Sequence, residues 1–408
     1  MKLFLMTKLK RLKKIAIVIE NLTYGGTTTH LISLINSVQF KGVKFVIITN
    51  KTNLAVKDIL NSCNKNKIKI IYYNSFNVIK LNNIFLKILF FLFKPVLFLI
   101  SIYQMYCIIK KYDFDVLLAD CGGYGDFRSE MASIFASRIL GRTNLHLLIH
   151  HCYGKPKIWS NLINLFNLFI GKYISGLIFV SFATKYTIKK NTKLFDLLKK
   201  RNVVIHNGVF LKKIRKIKLN TFKTKRGILK VGMLSRIEKY KGQSDLIDGF
   251  SKLSKKLQLK YKIFFVGSGT SDDVRYLQKK IDNYKLNKHF KIIKYINRDS
   301  LIILSNFDLF FSLTRDFEGF GYSLAEALYV GTPVVSTKVG GICEFLDHSN
   351  AKLIKPMDIK AISKSLESFI SKRKKWKRKT LSGKNLIIKS FNSEIMSKKF
   401  YNFFLKNF

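Results

Sequence analysis

Thr314-Arg-Asp-Phe-Glu-Gly-Phe-Gly-Tyr-Ser-Leu-Ala-Glu-Ala-Leu-Tyr-Val-Gly-Thr-Pro-Val-Val-Ser-Thr-Lys-Val-Gly-Gly-Ile-Cys-Glu-Phe345 is the stretch whose reading decides the fold. The apolar run before it, 308–313, reads as a buried parallel strand, and Val334-Val335 reads as the next strand. A short helix from about Ser323 to Val330 is expected between them. The loop entering that helix carries Glu318, Gly319, Phe320 and Gly321, so a carboxylate and exposed backbone N–H groups converge at a helix N-terminus. This point lies beyond the carboxyl end of a strand, where open α/β sheets bind ligands and where anions are favoured.

Glu318 and Glu326 fall in the loop and the first helical turns, and both can face one crevice. Ser323-Leu-Ala-Glu326 also fits a capping box, in which Glu326 only returns a hydrogen bond to the Ser323 backbone. Glu318 has no such alternative, and glycines on both sides of Phe320 point to a backbone held close to something.

Glu318-Gly-Phe-Gly321, then Glu326, Gly331-Thr-Pro-Val-Val335 and Gly340-Gly341 resemble the signature of the retaining nucleotide-sugar glycosyltransferases of family 4. These have the GT-B fold, two Rossmann-like doubly wound α/β domains facing an interdomain cleft. The resemblance implies that Glu318 holds sugar hydroxyls of the donor. It implies that the amides of Gly319, Phe320, Gly321 and Tyr322 cradle sugar and phosphate, and that Glu326 binds the ribose.

The chain has 408 residues, enough for two domains of ordinary size. Lys and Arg number 74 against 24 acidic residues, a formal net charge of +50, while 48% of residues are hydrophobic. Such a chain builds sizeable cores and is no disordered basic tail. Its charge calls for anionic partners: nucleotide diphosphates, anionic lipid or nucleic acid. Cys63, Cys107, Cys121, Cys152 and Cys343 are scattered, which suggests neither a disulfide framework nor a zinc site and fits reducing, cytoplasmic surroundings. Residues 1–14 lack a continuous apolar core and a cleavage site, so they do not read as a signal peptide.

Ile15–Ile19 reads as the first strand, followed by a loop with Gly25-Gly26, a helix from about His30 to Val38, and a second strand over Val43–Thr49. Gly25-Gly26 is not a full dinucleotide fingerprint. The resemblance gives these two glycines a close approach to donor phosphate and acceptor. Ile84–Ile109 is strongly apolar, broken by Lys87, Lys94-Pro95 and Gln104, and admits three arrangements: a buried crossover helix, an interfacial membrane helix, or a span. A second apolar stretch, Ile158–Ile170, has similar character, and with lysines flanking both, a domain resting on an anionic inner leaflet is expected. Asp113-Phe-Asp115 fits a metal-binding Asp-x-Asp pattern but enters a strand, Val116–Ala119, and no metal is expected. Leu145–His151 reads as a strand ending in two histidines. The resemblance points His150 at the donor sugar, with His151 as the alternative.

Further strands are expected at Gly176–Ser181 and Val203–Val209, with an Asn207-Gly208 turn. The polar, basic run Leu211–Arg226 reads as the interdomain connection. Lys230–Leu246 then reads as strand, loop and helix, and the loop holds Arg236 and Lys241. Two cations before a helix N-terminus suit a diphosphate, and the resemblance makes them the pyrophosphate-binding element. It also brings the backbone near Tyr295 and Ile296 to the nucleobase. The tail from about Ser393 reads as an amphipathic aromatic helix that crosses back to the first domain. Expected boundaries are 1–212 for the N-terminal acceptor-binding domain, 213–390 for the nucleotide-sugar domain and 391–408 for the crossing helix.

The function expected is transfer of a sugar from a nucleotide-diphosphate sugar, UDP or GDP, to a hydroxyl of a glycan or lipid-linked acceptor, with retention and without a metal or other cofactor. The setting would be surface polysaccharide synthesis at the inner face of the cell membrane. Two alternatives are a polyanion or nucleic-acid binder, disfavoured by dispersed lysines without interleaved aromatics, and a non-catalytic nucleotide-sugar subunit, disfavoured by the intact Glu318, Glu326, Arg236 and Lys241.

Overall fold

The computed structural model describes residues 11–22, 24–76, 84–124, 127–152, 160–192, 194, 201–212, 217–294 and 299–406. It divides into two units, Met1–His206 with Ser393–Phe408, and Asn207–Asn392.

The first unit holds a parallel sheet of β1 (Lys14–Ile19), β2 (Lys44–Asn50), β3 (Ile68–Tyr73), β4 (Val116–Cys121), β5 (Leu145–Ile149), β6 (Gly176–Phe179) and β7 (Asn202–Val204). Their spatial order is β3-β2-β1-β4-β5-β6-β7. Both faces of β1, β4 and β5 are covered, so these strands are buried almost along their length and mostly apolar rather than alternating. Alternate side chains feed two cores. One lies against α4 (Lys94–Ile109), α5 (Ser129–Ile139) and α6 (Ser160–Tyr173), which follow α3 (Ile84–Leu92). The other lies against α1 (Gly26–Asn36), α2 (Val56–Ser62) and the C-terminal helix Ser393–Lys406. Helix α7 (Phe182–Asn191) follows β6.

The 84–109 stretch is neither one buried helix nor a span. It breaks at Phe93, and Pro95 opens the first turn of α4, where a missing N–H costs nothing. No helix among the described residues is long and apolar enough to cross a membrane. Asp115, in the Asp-x-Asp, accepts the Lys13 and Lys14 amides at 2.6 and 2.8 Å and ties β4 to β1. Asp113 pairs with Arg142 at the surface.

The second unit repeats the plan with β8 (Leu229–Leu234), β9 (Tyr261–Val266), β10 (Phe290–Ile293), β11 (Leu309–Ser312), β12 (Val334–Thr337) and β13 (Lys352–Ile354). Their order is β10-β9-β8-β11-β12-β13, all parallel, with a core on each face. The run expected as a bare connection contributes to this unit: Phe222 is buried between Phe264 and Phe307, and the Leu219 amide donates to Asn306. One aromatic side chain in a basic run escaped a periodicity test.

In each sheet the strand order reverses beside the first strand, between β1 and β4 and between β8 and β11. Such switch points open a crevice at the carboxyl ends of the strands. The C-terminal helix supports the first: Phe400 and Phe404 are fully buried, and Phe400 lies 5.3 Å from the ring of His30. Phe400→Ala is expected to cost about 3–5 kcal/mol and to lower the urea midpoint followed by circular dichroism. An unchanged midpoint would show that the helix does not belong to the core of the first unit.

Candidate functional site

The switch point of the second sheet brings together the expected cation loop and the expected carboxylate loop. After β8 the chain passes through Ser235–Glu238 to a turn at Lys239–Lys241 and then to Gly242 at φ +75°, which opens the helix Gln243–Ser251. A side chain at Gly242 would lie 2.2 Å from the Leu313 carbonyl oxygen, so this position needs glycine both for its backbone and for its space. Gln243 donates to the Arg236 carbonyl at 2.9 Å and fixes the loop from inside. After β11, Thr314–Gly321 leads to the helix Tyr322–Val330.

Lys241 and Glu318 meet there, Nζ to Oε2 at 2.7 Å, with side chains only 13% and 22% exposed. Burial by itself would lower the Lys241 pKa, but Glu318 and Tyr240 outweigh it, and the pKa is raised. The ammonium is thus held charged and in place. Thr314 donates to the same Glu318 oxygen at 3.3 Å. The Glu318 carbonyl accepts from the Gly341 amide at 2.8 Å, and a Cβ on Gly340 would sit 2.2 Å from that carbonyl. The distant Gly340-Gly341 pair therefore acts by letting backbone close on the Glu318 loop.

Arg236 lies in the same loop, over half exposed, paired with Glu238 at 2.8 Å and donating to the Tyr240 hydroxyl. Its charge reaches Lys241. The helix after the carboxylate loop starts one residue earlier than expected, capped by Gly321 at φ +86° with no side-chain cap bond. The Ser323 capping box is thus not formed. Phe320 turns its ring inward against Phe345 and Tyr322 and is 2% exposed, so only its backbone can serve a ligand. Glu326 is buried beside Ser300 and Asp299, and burial pushes its carboxyl up to about 8. Tyr295 and Ile296 lie outside the described residues.

The first sheet's switch point carries Gly25 as the N-cap of α1, in extended backbone, with nothing within 4 Å of where a Cβ would stand. Helix α1 begins at Gly26 rather than near His30, so Gly26 is its first residue and His30 lies inside it. His150 follows β5, donates its amide to the Cys121 carbonyl, and places Nε2 2.7 Å from Oδ1 of the buried Asp120 at the end of β4. His30 packs edge-on against His150 with ring centroids 4.9 Å apart. One ligand atom from each of His30, Asp120 and His150 lies within 4.8 Å of the others, the one set among the described residues spaced to hold a metal ion. His151 is half-buried, with Nδ1 3.1 Å from the Cys152 sulfur. Nearby, Arg128 sits against Glu130, and burial pushes the Glu130 carboxyl up to about 7.

Sequence reasoning missed Asp120, His30 and the clamp of Arg315 on Asp245, 2.5 Å, which joins the carboxylate loop to the helix that follows the cation loop. Asp120 was visible as a lone acid ending an apolar strand. The Arg315–Asp245 pairing left no local signal.

Two doubly wound sheets in tandem, each with loops of this kind at its switch point, make the GT-B fold. HepE of Anabaena, solved with UDP and glucose, superposes with a TM-score of 0.70 at 18% identity, over 96% of this chain and 98% of that one. A glycosyltransferase of Rickettsia africae does so with 0.73 at 18% identity, over 98% and 99%. An uncharacterized glycosyltransferase of Methanocaldococcus jannaschii is 25% identical over 321 residues, 76% of this chain and 80% of that one. Residues 214–385, most of the second unit, match the glycosyl transferases group 1 model.

The raised Glu326 pKa gives a signed prediction. The unfolded carboxyl loses its proton near the ordinary 4.5 while the folded one keeps it to about 8. Between those values the folded state binds more protons, so this group makes stability fall as pH rises. Glu326→Gln is expected to remove that decline: relative to the parent its melting temperature rises progressively across the window. Parallel curves for the two proteins would refute the burial-driven shift.

Proposed function

We propose that the protein transfers a sugar, with retention of configuration, from a UDP- or GDP-sugar to a hydroxyl of a glycan or lipid-linked acceptor in surface polysaccharide synthesis. The observation that carries this is the Lys241–Glu318 pair at the switch point, with Arg236 in the same loop. Lys241 and Arg236 meet the diphosphate, whose charge grows as the sugar leaves. The first-turn amides from Gly319 to Tyr322 add fixed dipoles, a preorganised electrostatic site. Glu318, which holds Lys241 through Oε2, meets the donor hydroxyls, and Glu326 takes the ribose. Gly25 and Gly26 leave room for phosphate and acceptor, His150 contacts the sugar with His151 as the alternative, and Tyr295 and Ile296 meet the base.

No metal is required in this scheme. Chelation by EDTA leaves the rate unchanged, whereas a rate restored only by added divalent ion would shift attention to His30, Asp120 and His150. The reaction belongs in the cytoplasm, at the inner face of the cell membrane; five free cysteines fit a reducing compartment.

Thermal stabilisation by nucleotide diphosphates and their sugars tests the assignment. One nucleotide sugar is expected to raise the midpoint selectively. Lys241→Ala weakens stabilisation by both nucleotide and nucleotide sugar, while Glu318→Ala weakens the nucleotide sugar more than the nucleotide. Each lowers kcat/KM about 10²–10³-fold, the scale of losing one preorganised charge contact. Absence of any nucleotide effect, with salt-sensitive oligonucleotide binding instead, would overturn the proposal.

A further inference from the structure

Helix α4 is apolar on two sides. Phe98, Ser101, Met105 and Ile109 face inward, and Phe98 packs on Phe135 of α5 and Phe166 of α6. Val96, Leu99, Ile100 and Tyr103 recur at the same helical spacing on the other side, and there Leu99 is 62% and Tyr103 69% exposed. Leu165 and Leu168 of the adjoining α6 are also exposed. A helix apolar all round is normally enclosed, and a contiguous apolar patch of this kind marks an interaction site.

Charge identifies the occupant. Neither Ile84–Ile109 nor Ser160–Tyr173 contains an Asp or Glu, while Lys110, Lys111 and Lys172 stand exposed at the helix ends. A second copy would bring the same lysines against these, in a chain already at +50. An anionic bilayer complements both features, with apolar side chains entering the acyl boundary, Tyr103 at headgroup depth and lysines on the headgroups. No helix among the described residues is long enough to span, so the contact is in the plane of the membrane.

We propose that the outer face of α3, α4 and α6 docks the first unit on an anionic membrane surface. This deepens the proposed function, since it rests on a lipid-linked acceptor, but it is measurable without one.

The full chain is mixed with phosphatidylcholine vesicles with and without phosphatidylglycerol and sedimented. Binding is expected only with phosphatidylglycerol and falls with salt. The double substitution Leu99→Glu/Tyr103→Glu weakens it about tenfold or more, removing apolar burial and adding repelled charge. The same variant keeps its stabilisation by nucleotide, which shows that it is folded. Should it not fold, hydrogen exchange of the parent chain decides: vesicles slow exchange within 88–112 and not on the second unit. No binding, equal binding by the variant, or a dimer that the variant abolishes would overturn the docking. Nucleotide stabilisation without vesicle binding refutes the docking alone, and vesicle binding without any nucleotide effect refutes the transferase assignment alone.

Discussion

The contact on which the loops at the second unit's switch point depend is the 2.7 Å pair of Lys241 and Glu318. At that distance and with partial exposure, attraction of roughly 5 kcal/mol is opposed by desolvation of similar size, so the pair adds little net stability. Its effect is positional. Lys241 belongs to the loop after β8 and Glu318 to the loop after β11, the two strands flanking the switch point. A cation and a carboxylate that neutralise one another hold both loops at one place.

Backbone spacing enforces the same arrangement. Gly242 sits against the Leu313 carbonyl, Gly340 against the Glu318 carbonyl, and Gly267 against the Ser235 carbonyl, each closer than any Cβ allows. These glycines flank the site rather than line it. They let three loops nest at the carboxyl edge of the sheet, and the Arg315–Asp245 clamp ties the result to the helix that begins at Gln243.

This explains what could be read from the sequence. The strands β8, β11 and β12, the cation loop and the carboxylate loop were legible because each is a local pattern: an apolar run, a glycine, a charge at fixed spacing. The pairing of Lys241 with Glu318 was not, since it joins residues remote in the chain, and neither was the partnership of Asp120 with His150. Ser323-Leu-Ala-Glu326 read locally as a capping box, but Gly321 in left-handed backbone started the helix one residue sooner and left Glu326 to be buried against Ser300. Ile84–Ile109 was ambiguous for a physical reason: periodicity cannot separate apolar side chains that pack from apolar side chains that face out when a helix carries both.

Acidic residues are scarce in this chain, 24 against 74 basic ones, and where they are buried is informative. Glu20, Asp120, Glu130, Asp245 and Glu326 are the buried ones among the described residues. Glu20 follows β1, Asp120 is the next-to-last residue of β4, Glu130 lies in the first turn of α5, and Asp245 lies in the first turn after the cation loop. Burying a carboxylate is costly unless a partner meets it, and here partners do: Arg128 for Glu130, His150 for Asp120, Arg315 for Asp245. These partners tie strand ends and helix starts in place, and the excess of 74 basic over 24 acidic residues leaves the chain strongly cationic. In the proposed scheme one charge imbalance serves both ends: internal pairs hold the loops that would meet the donor, and a cationic exterior would meet an anionic surface.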